Sequence, residues 1–188
     1  MASRSWLCRG PIAISGLALA IALGACSQPV GQGDPAASAE GSTATESSEV
    51  ADTAIAQADE LGQIEQLIFE QVNAYREAQG LPPLETNDAI RQQAQVHSQA
   101  MAQGEVPVSH QGFDGRVEAI AKSVDYRSAA ENVAYNEGYN SPGEQAVQGW
   151  LESPGHLENI RGDYDLTGIG VAQNGQAYYF TQLFIKTP

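Results

Sequence analysis

Leu61, Ile64, Ile68, Val72 and Tyr75 recur at three- and four-residue intervals, the spacing of one apolar helix face. Gly80 and the breaker Leu81-Pro82-Pro83 end that helix. A second helix is predicted from Asn87 to about Gly104, with Ile90, Ala94, His97 and Met101 on one face. Ser141-Pro142-Gly143-Glu144 has the form of a capping box with proline in the first turn. It opens a third helix that turns Val147, Trp150 and Leu151 inward, and a short fourth helix is predicted from Ser153-Pro154 through Ile160. The period then changes to two. Leu166 to Ala172 and Gln176 to Lys186 read as strands joined across Asn174-Gly175. In the last strand Tyr178, Phe180, Gln182 and Phe184 share one face, and Tyr179, Thr181, Leu183 and Ile185 the other. Both faces are largely apolar, so helices should cover both, which predicts an α+β fold: a three-layer α-β-α sandwich around a central antiparallel sheet.

The N-terminal end follows neither period. Arg4 and Arg9 precede an almost wholly apolar or small run from Pro11 to Ala25, the order of a secretory signal. That run is shorter than the roughly 20 residues a membrane-spanning helix needs. It closes on Leu23-Gly24-Ala25-Cys26, which resembles the lipobox of bacterial lipoproteins. The resemblance implies cleavage after residue 25 and acyl chains on Cys26, giving an extracytoplasmic protein anchored by lipid to the cell membrane or outer membrane. From Ser27 to Glu60 the chain is Ser, Ala, Thr, Gly, Gln and acid, without a base or an aromatic residue. Composition therefore predicts a disordered acidic tether over residues 26–60, about 30 Å from end to end if it behaves as a flexible coil. Residues 61–188 form the single remaining domain, large enough to hold a core without staples.

Charge and cysteine content narrow the partners. The chain carries 9 basic and 23 acidic side chains, a net charge of −14. Such an acidic body is not drawn to nucleic acid or to anionic headgroups. The two cysteines, Cys8 and Cys26, lie in the signal and at the acylation position, so the domain has no disulfide.

Three histidines could carry chemistry. His97 lies on an apolar helix stripe and reads as a packed side chain. His110, in the loop Val108-Ser109-His110-Gln111-Gly112, has no periodic reason to be there, and loops on a rigid scaffold often carry sites. His156 falls in the first turn of the fourth helix, where the helix dipole disfavours an imidazolium. Glu131 sits in the mostly apolar segment Ala129-Ala130-Glu131-Asn132-Val133-Ala134-Tyr135. A carboxylate buried there must be paired or hydrogen-bonded.

Ser109-His110, Glu131-Asn132-Val133, Trp150 with Ser153-Pro154-Gly155-His156 and Asn159, Gly168-Ile169-Gly170, and Tyr179-Phe180-Thr181-Gln182 occur in this order. The set resembles the CAP superfamily, also called SCP-like, over about Leu67 to Phe184. That resemblance implies an α-β-α sandwich with a cleft where two His and two Glu converge, in some relatives around zinc or another divalent cation. His110, Glu131 and His156 match three of those four positions. In eukaryotic relatives the second Glu follows the helix tryptophan by three residues, which here is Ser153. Glu152 stands one residue early, turned by about 200° from Trp150 on a regular helix, and reads as a solvated charge.

Function stays open between three classes at this point. A binding module would hold a metal ion, lipid, peptide or cell-wall fragment in the cleft. A metal-dependent hydrolase would hold Zn²⁺ on His110 and His156 and use Glu131 to orient or deprotonate a bound water. A structural envelope protein would use the same three residues only to lock helices to sheet. No serine or cysteine nucleophile stands in a recognisable arrangement with the histidines, and no HExxH helix is present.

Overall fold

A computed structural model describes the main chain of residues 43–188 and the side chains from residue 54. In chain order the elements are α1 (Thr43–Ala78), β1 (Glu85–Thr86), α2 (Asp88–Ala102), α3 (Phe113–Ile120), β2 (Ser128–Glu137), α4 (Pro142–Glu152), α5 (Pro154–Arg161), β3 (Leu166–Asn174) and β4 (Ala177–Lys186). The strands form one sheet in the order β1-β3-β4-β2. β4 pairs antiparallel with both β2 and β3, while the two-residue β1 pairs parallel to β3. The sheet is therefore mixed rather than purely antiparallel. The departure is confined to β1, which is too short to show a period in sequence.

The two faces of β4 carry two separate cores, as its double apolar pattern requires. Phe180 and Phe184 pack with Ile68 and Val72 of α1, Val147 and Trp150 of α4 and Ile160 of α5. Leu183 and Ile185 pack with Ile90 and Ala94 of α2 and Ile120 of α3. On β3, Gly168 and Gly170 face α2 so closely that a Cβ at either would lie 2.2 Å from a main-chain nitrogen, of Arg91 and Gln95 respectively. Only glycine lets this helix seat against this strand.

Local chemistry sets most element ends. Asn87 accepts from the N–H groups of Ala89 and Ile90 at 3.0 and 3.3 Å and caps α2. Ser141 and Ser153 stand at the N-caps of α4 and α5, but neither side chain makes a capping hydrogen bond. Proline at the start of each helix already removes one of the free donors. The β3–β4 turn is Gly175-Gln176, one residue on from the expected Asn174-Gly175 pair, because Asn174 is still paired with Ala177. Gly175 takes the left-handed conformation, φ 63°.

One boundary differs more. The tether expected over residues 26–60 gives way at Thr43 to α1. Ala and Glu are frequent in this stretch and are strong helix formers. A helix nucleated by the packed residues 61–78 also extends backward at no further nucleation cost. Residues 54–60 are exposed, Ile55 among them, so this part of the extension rests on helix formation and not on burial. The signal, Cys26 and the tether up to residue 42 lie outside the described residues. No helix among the described residues is long and apolar enough to cross a membrane.

Candidate functional site

β2 is an edge strand, and the candidate residues gather around its edge. Glu131 pairs in register with Leu183 and so shares the α2/α3 face of the sheet, while Asn132 pairs with Gln182 and lies on the opposite face. On the first face Arg116 of α3 makes a bidentate contact with Glu131, Nε to Oε2 and Nη2 to Oε1, each 2.8 Å. Its third contact, Nη1 to the carbonyl of Gln111 at 2.9 Å, ties the preceding loop to the same pair. His110 donates from Nδ1 to Glu131 Oε1 at 3.0 Å. An ionised carboxylate only accepts, which leaves Nε2 of the neutral ring as its acceptor.

His97 has the packed role its helical position suggested. It is 3% exposed and donates from Nε2 to the carbonyl of Ser109 at 2.8 Å, holding the loop that presents His110. Burial holds its pKa below the ordinary histidine value.

On the other face Asn132 and Asn159 bind β2 to α5. Asn132 Nδ2 donates to the carbonyl of His156 at 3.1 Å. Asn159 Nδ2 donates to the Glu131 carbonyl at 3.1 Å and to Asn132 Oδ1 at 2.9 Å. Arg76, 1% exposed, secures the far end of α5 by donating to the carbonyls of Ile160 and Gly162. These contacts bring His156 round the edge of β2 to His110, with ring centroids 6.4 Å apart and planes tilted by 47°. Burial lowers the pKa of His156, and the neighbouring His110 lowers it further. The reason differs from the sequence expectation, which was the helix dipole, but the direction agrees.

The structure thus brings His110, Glu131 and His156 together, yet not as a metal set. Both Glu131 oxygens are engaged by Arg116, and one also by His110. Glu152 is exposed and accepts from Gln148 at 2.9 Å on the outer side of α4. Among the described residues no group of three or more His, Cys, Asp or Glu is placed to hold a metal ion. A zinc site takes at least three protein ligands, so the two imidazoles alone do not fit the cation that the family resemblance implied. Arg116 itself was not visible in sequence. The signal available was the demand that Glu131 find a partner, and Arg116 lies in α3, a helix of only two turns.

A groove of about 460 Å³ lies between β2 and α4, within the size range of ligand sites. It runs from His156 and Ser153 at one end to Tyr139 and Glu137 at the other. Of the four candidate cleft residues His156 alone lines it. Tyr135 and Tyr139, 46% and 51% exposed, give it an aromatic rim, and Glu137 is its one carboxylate among the described residues. Trp150 closes the floor and donates from Nε1 to the Val133 carbonyl at 3.3 Å.

Comparison with known proteins agrees with this fold. The chain is 32% identical over 129 residues to YkwD of Bacillus subtilis, covering 64% of this chain and 46% of that protein. It is 34% identical over 127 residues to the membrane protein YlbC of the same organism, covering 65% and 34%. It therefore spans less than half the length of these curated relatives. A crystal structure of an extracellular protein containing an SCP domain, from Bacillus anthracis, superposes with a TM-score of 0.56 at 29% identity, over 67% of this chain and 41% of that one. The model of the CAP family, the cysteine-rich secretory protein family, matches residues 69–184, and the chain belongs to that family.

Proposed function

We propose that the chain is an extracytoplasmic binding module, tethered by lipid on Cys26, whose ligand lies in the β2–α4 groove with His156 at one end. The observation that carries this reading is the pairing of an open groove with a committed carboxylate. The ligand-sized space contains His156 but not Glu131, whose oxygens are occupied by Arg116 and His110. No serine or cysteine side chain among the described residues hydrogen-bonds either imidazole. Of the groups that a hydrolase would use, the Glu131 carboxylate and the His110 ring are thus tied into the scaffold. Export and anchoring rest on the N-terminal sequence, in keeping with an extracellular SCP-domain structure and a membrane protein among the relatives.

Gly149 gives the test. It lines the groove, and a Cβ there would meet nothing within 4 Å, so Gly149→Leu fills the space without straining α4. Trp150 fluorescence would follow titration of the full chain with pools of short peptides, soluble cell-wall fragments and fatty acids. The expected result is saturable binding by wild type that weakens at least tenfold in Gly149→Leu, at an unchanged melting temperature. Equal binding by both proteins, or turnover of ester or peptide probes that disappears in His110→Ala, contradicts the reading.

A further inference from the structure

We infer that the groove takes an extended peptide, added as a fifth strand on the free edge of β2, with a basic residue beside Glu137. The inference rests on the groove being the ligand site and names what that site recognises. Its basis is the groove's lining, which includes the consecutive residues Val133 through Glu137. Successive side chains of a strand point to opposite faces, so a space bordered by five in a row touches the strand's main chain as well as its side chains. The strand order agrees, since among the described residues β2 has a neighbouring strand on one side alone.

The free groups on that edge can be assigned. The carbonyls of Glu131 and Val133 accept from Asn159 and Trp150 and so point away from β4. In an antiparallel pair the N–H and C=O of one residue face the same way, and the direction alternates along the strand. Tyr135 and Glu137 therefore also turn their main-chain groups outward. The packing of Tyr135 against Tyr179 at 5.2 Å fits their place in a non-hydrogen-bonded pair. Outside the β2–β4 ladder, no described residue hydrogen-bonds the main chain of Tyr135.

The α4 wall of the groove includes the small residues Ala146 and Gly149. Trp150 takes the Val133 carbonyl, so the open edge runs from Ala134 to Glu137, about 10 Å. Strand addition draws affinity from main-chain hydrogen bonds, and pockets for alternate side chains add selectivity. Here the exposed rings of Tyr135 and Tyr139 offer contact area. Among the described residues Glu137 is the one carboxylate lining the groove; one of its oxygens accepts from the Tyr135 hydroxyl at 2.7 Å, and with a chain net charge of −14 it favours a basic peptide.

The test separates main-chain from side-chain recognition. Peptides would be selected on the full chain from a display library of random heptamers and measured against Tyr135→Val and Tyr135→Pro. Both variants lose the ring, but only the second loses the outward N–H, which an edge strand tolerates. The expected result is a basic bias among the selected peptides and at least tenfold weaker binding to Tyr135→Pro than to Tyr135→Val. As a check that does not depend on the variants folding, single N-methylation along one selected peptide should weaken binding at every second position. Equal binding to the two variants, or N-methylation effects without alternation, overturns the inference. So does a chain that dimerises through this edge and becomes monomeric in Tyr135→Pro, because the occupant is then a second copy. If no peptide is selected while cell-wall fragments or fatty acids still bind in a Gly149-dependent way, strand addition is wrong and the binding module stands. If nothing binds, both fail.

Discussion

Arg116 and Glu131 face each other with side-chain exposures of 9% and 2%, and each has its charge balanced mainly by the other. Removing one partner of such a pair strands a buried charge, at a cost of about 3–5 kcal/mol. Arg116→Ala is therefore expected to lower unfolding stability by that amount in urea titration, and a loss below about 1 kcal/mol would show that the pair is not buried in solution. His97 gives a pH signature. Its folded pKa lies below the unfolded value of about 6.5, so as pH falls below about 6.5 the unfolded chain takes the proton first. Stability is thus full above that value and declines below it until the folded pKa is passed. The melting temperature should fall between pH 7 and pH 5, and less steeply in His97→Gln; identical slopes would contradict the assignment. At this scale sequence showed which side chains would gather but not how they would pair. Glu131's apolar neighbours announced a buried carboxylate, and His110's loop position announced an exposed imidazole. That the carboxylate would be spent on an arginine fifteen positions away is a tertiary fact with no periodic trace.

Among the elements, sequence was most informative where one period ran long. The packed half of α1, together with α2 and β4, carried enough repeats to fix both type and orientation, and the two-sided β4 pattern alone implied helices on both faces. β1 and α3 are short, and β2 mixes a charged and an amide side chain into an apolar run, so neither type nor pairing could be read from them. The start of α1 was misplaced because composition alone does not register a helix extended from a packed one. The Gly168-Ile169-Gly170 segment makes this scale testable. Gly168→Ala places a Cβ against the main chain of α2 and is expected to cost more than about 3 kcal/mol. Gly149→Ala meets open space on a helix and should be neutral or stabilise by up to about 1 kcal/mol. Chemical unfolding of the two variants checks the pair, and similar stabilities would mean that α2 and β3 are less closely seated than described.

For the whole molecule, the edge position of β2 joins the fold to the proposed function. Placing this strand last in the order β1-β3-β4-β2 lets residues from both faces meet around one edge, so that His110 and His156 approach from opposite sides. The same placement leaves main-chain groups facing a groove bounded by α4. Family membership was legible from ordered motifs, whereas the groove was not, because it is made by an absence of neighbours along a strand. The most direct measurement is a map of backbone amide chemical shifts in the full chain as a pool of short basic peptides is added. The account expects the largest changes at Val133–Glu137 and on the facing side of α4 from Gln145 to Ser153, with little change at Glu65 or Arg91 on the far side of the sheet's order. Changes centred elsewhere, or on His110 and Glu131 without the β2 edge, would contradict it.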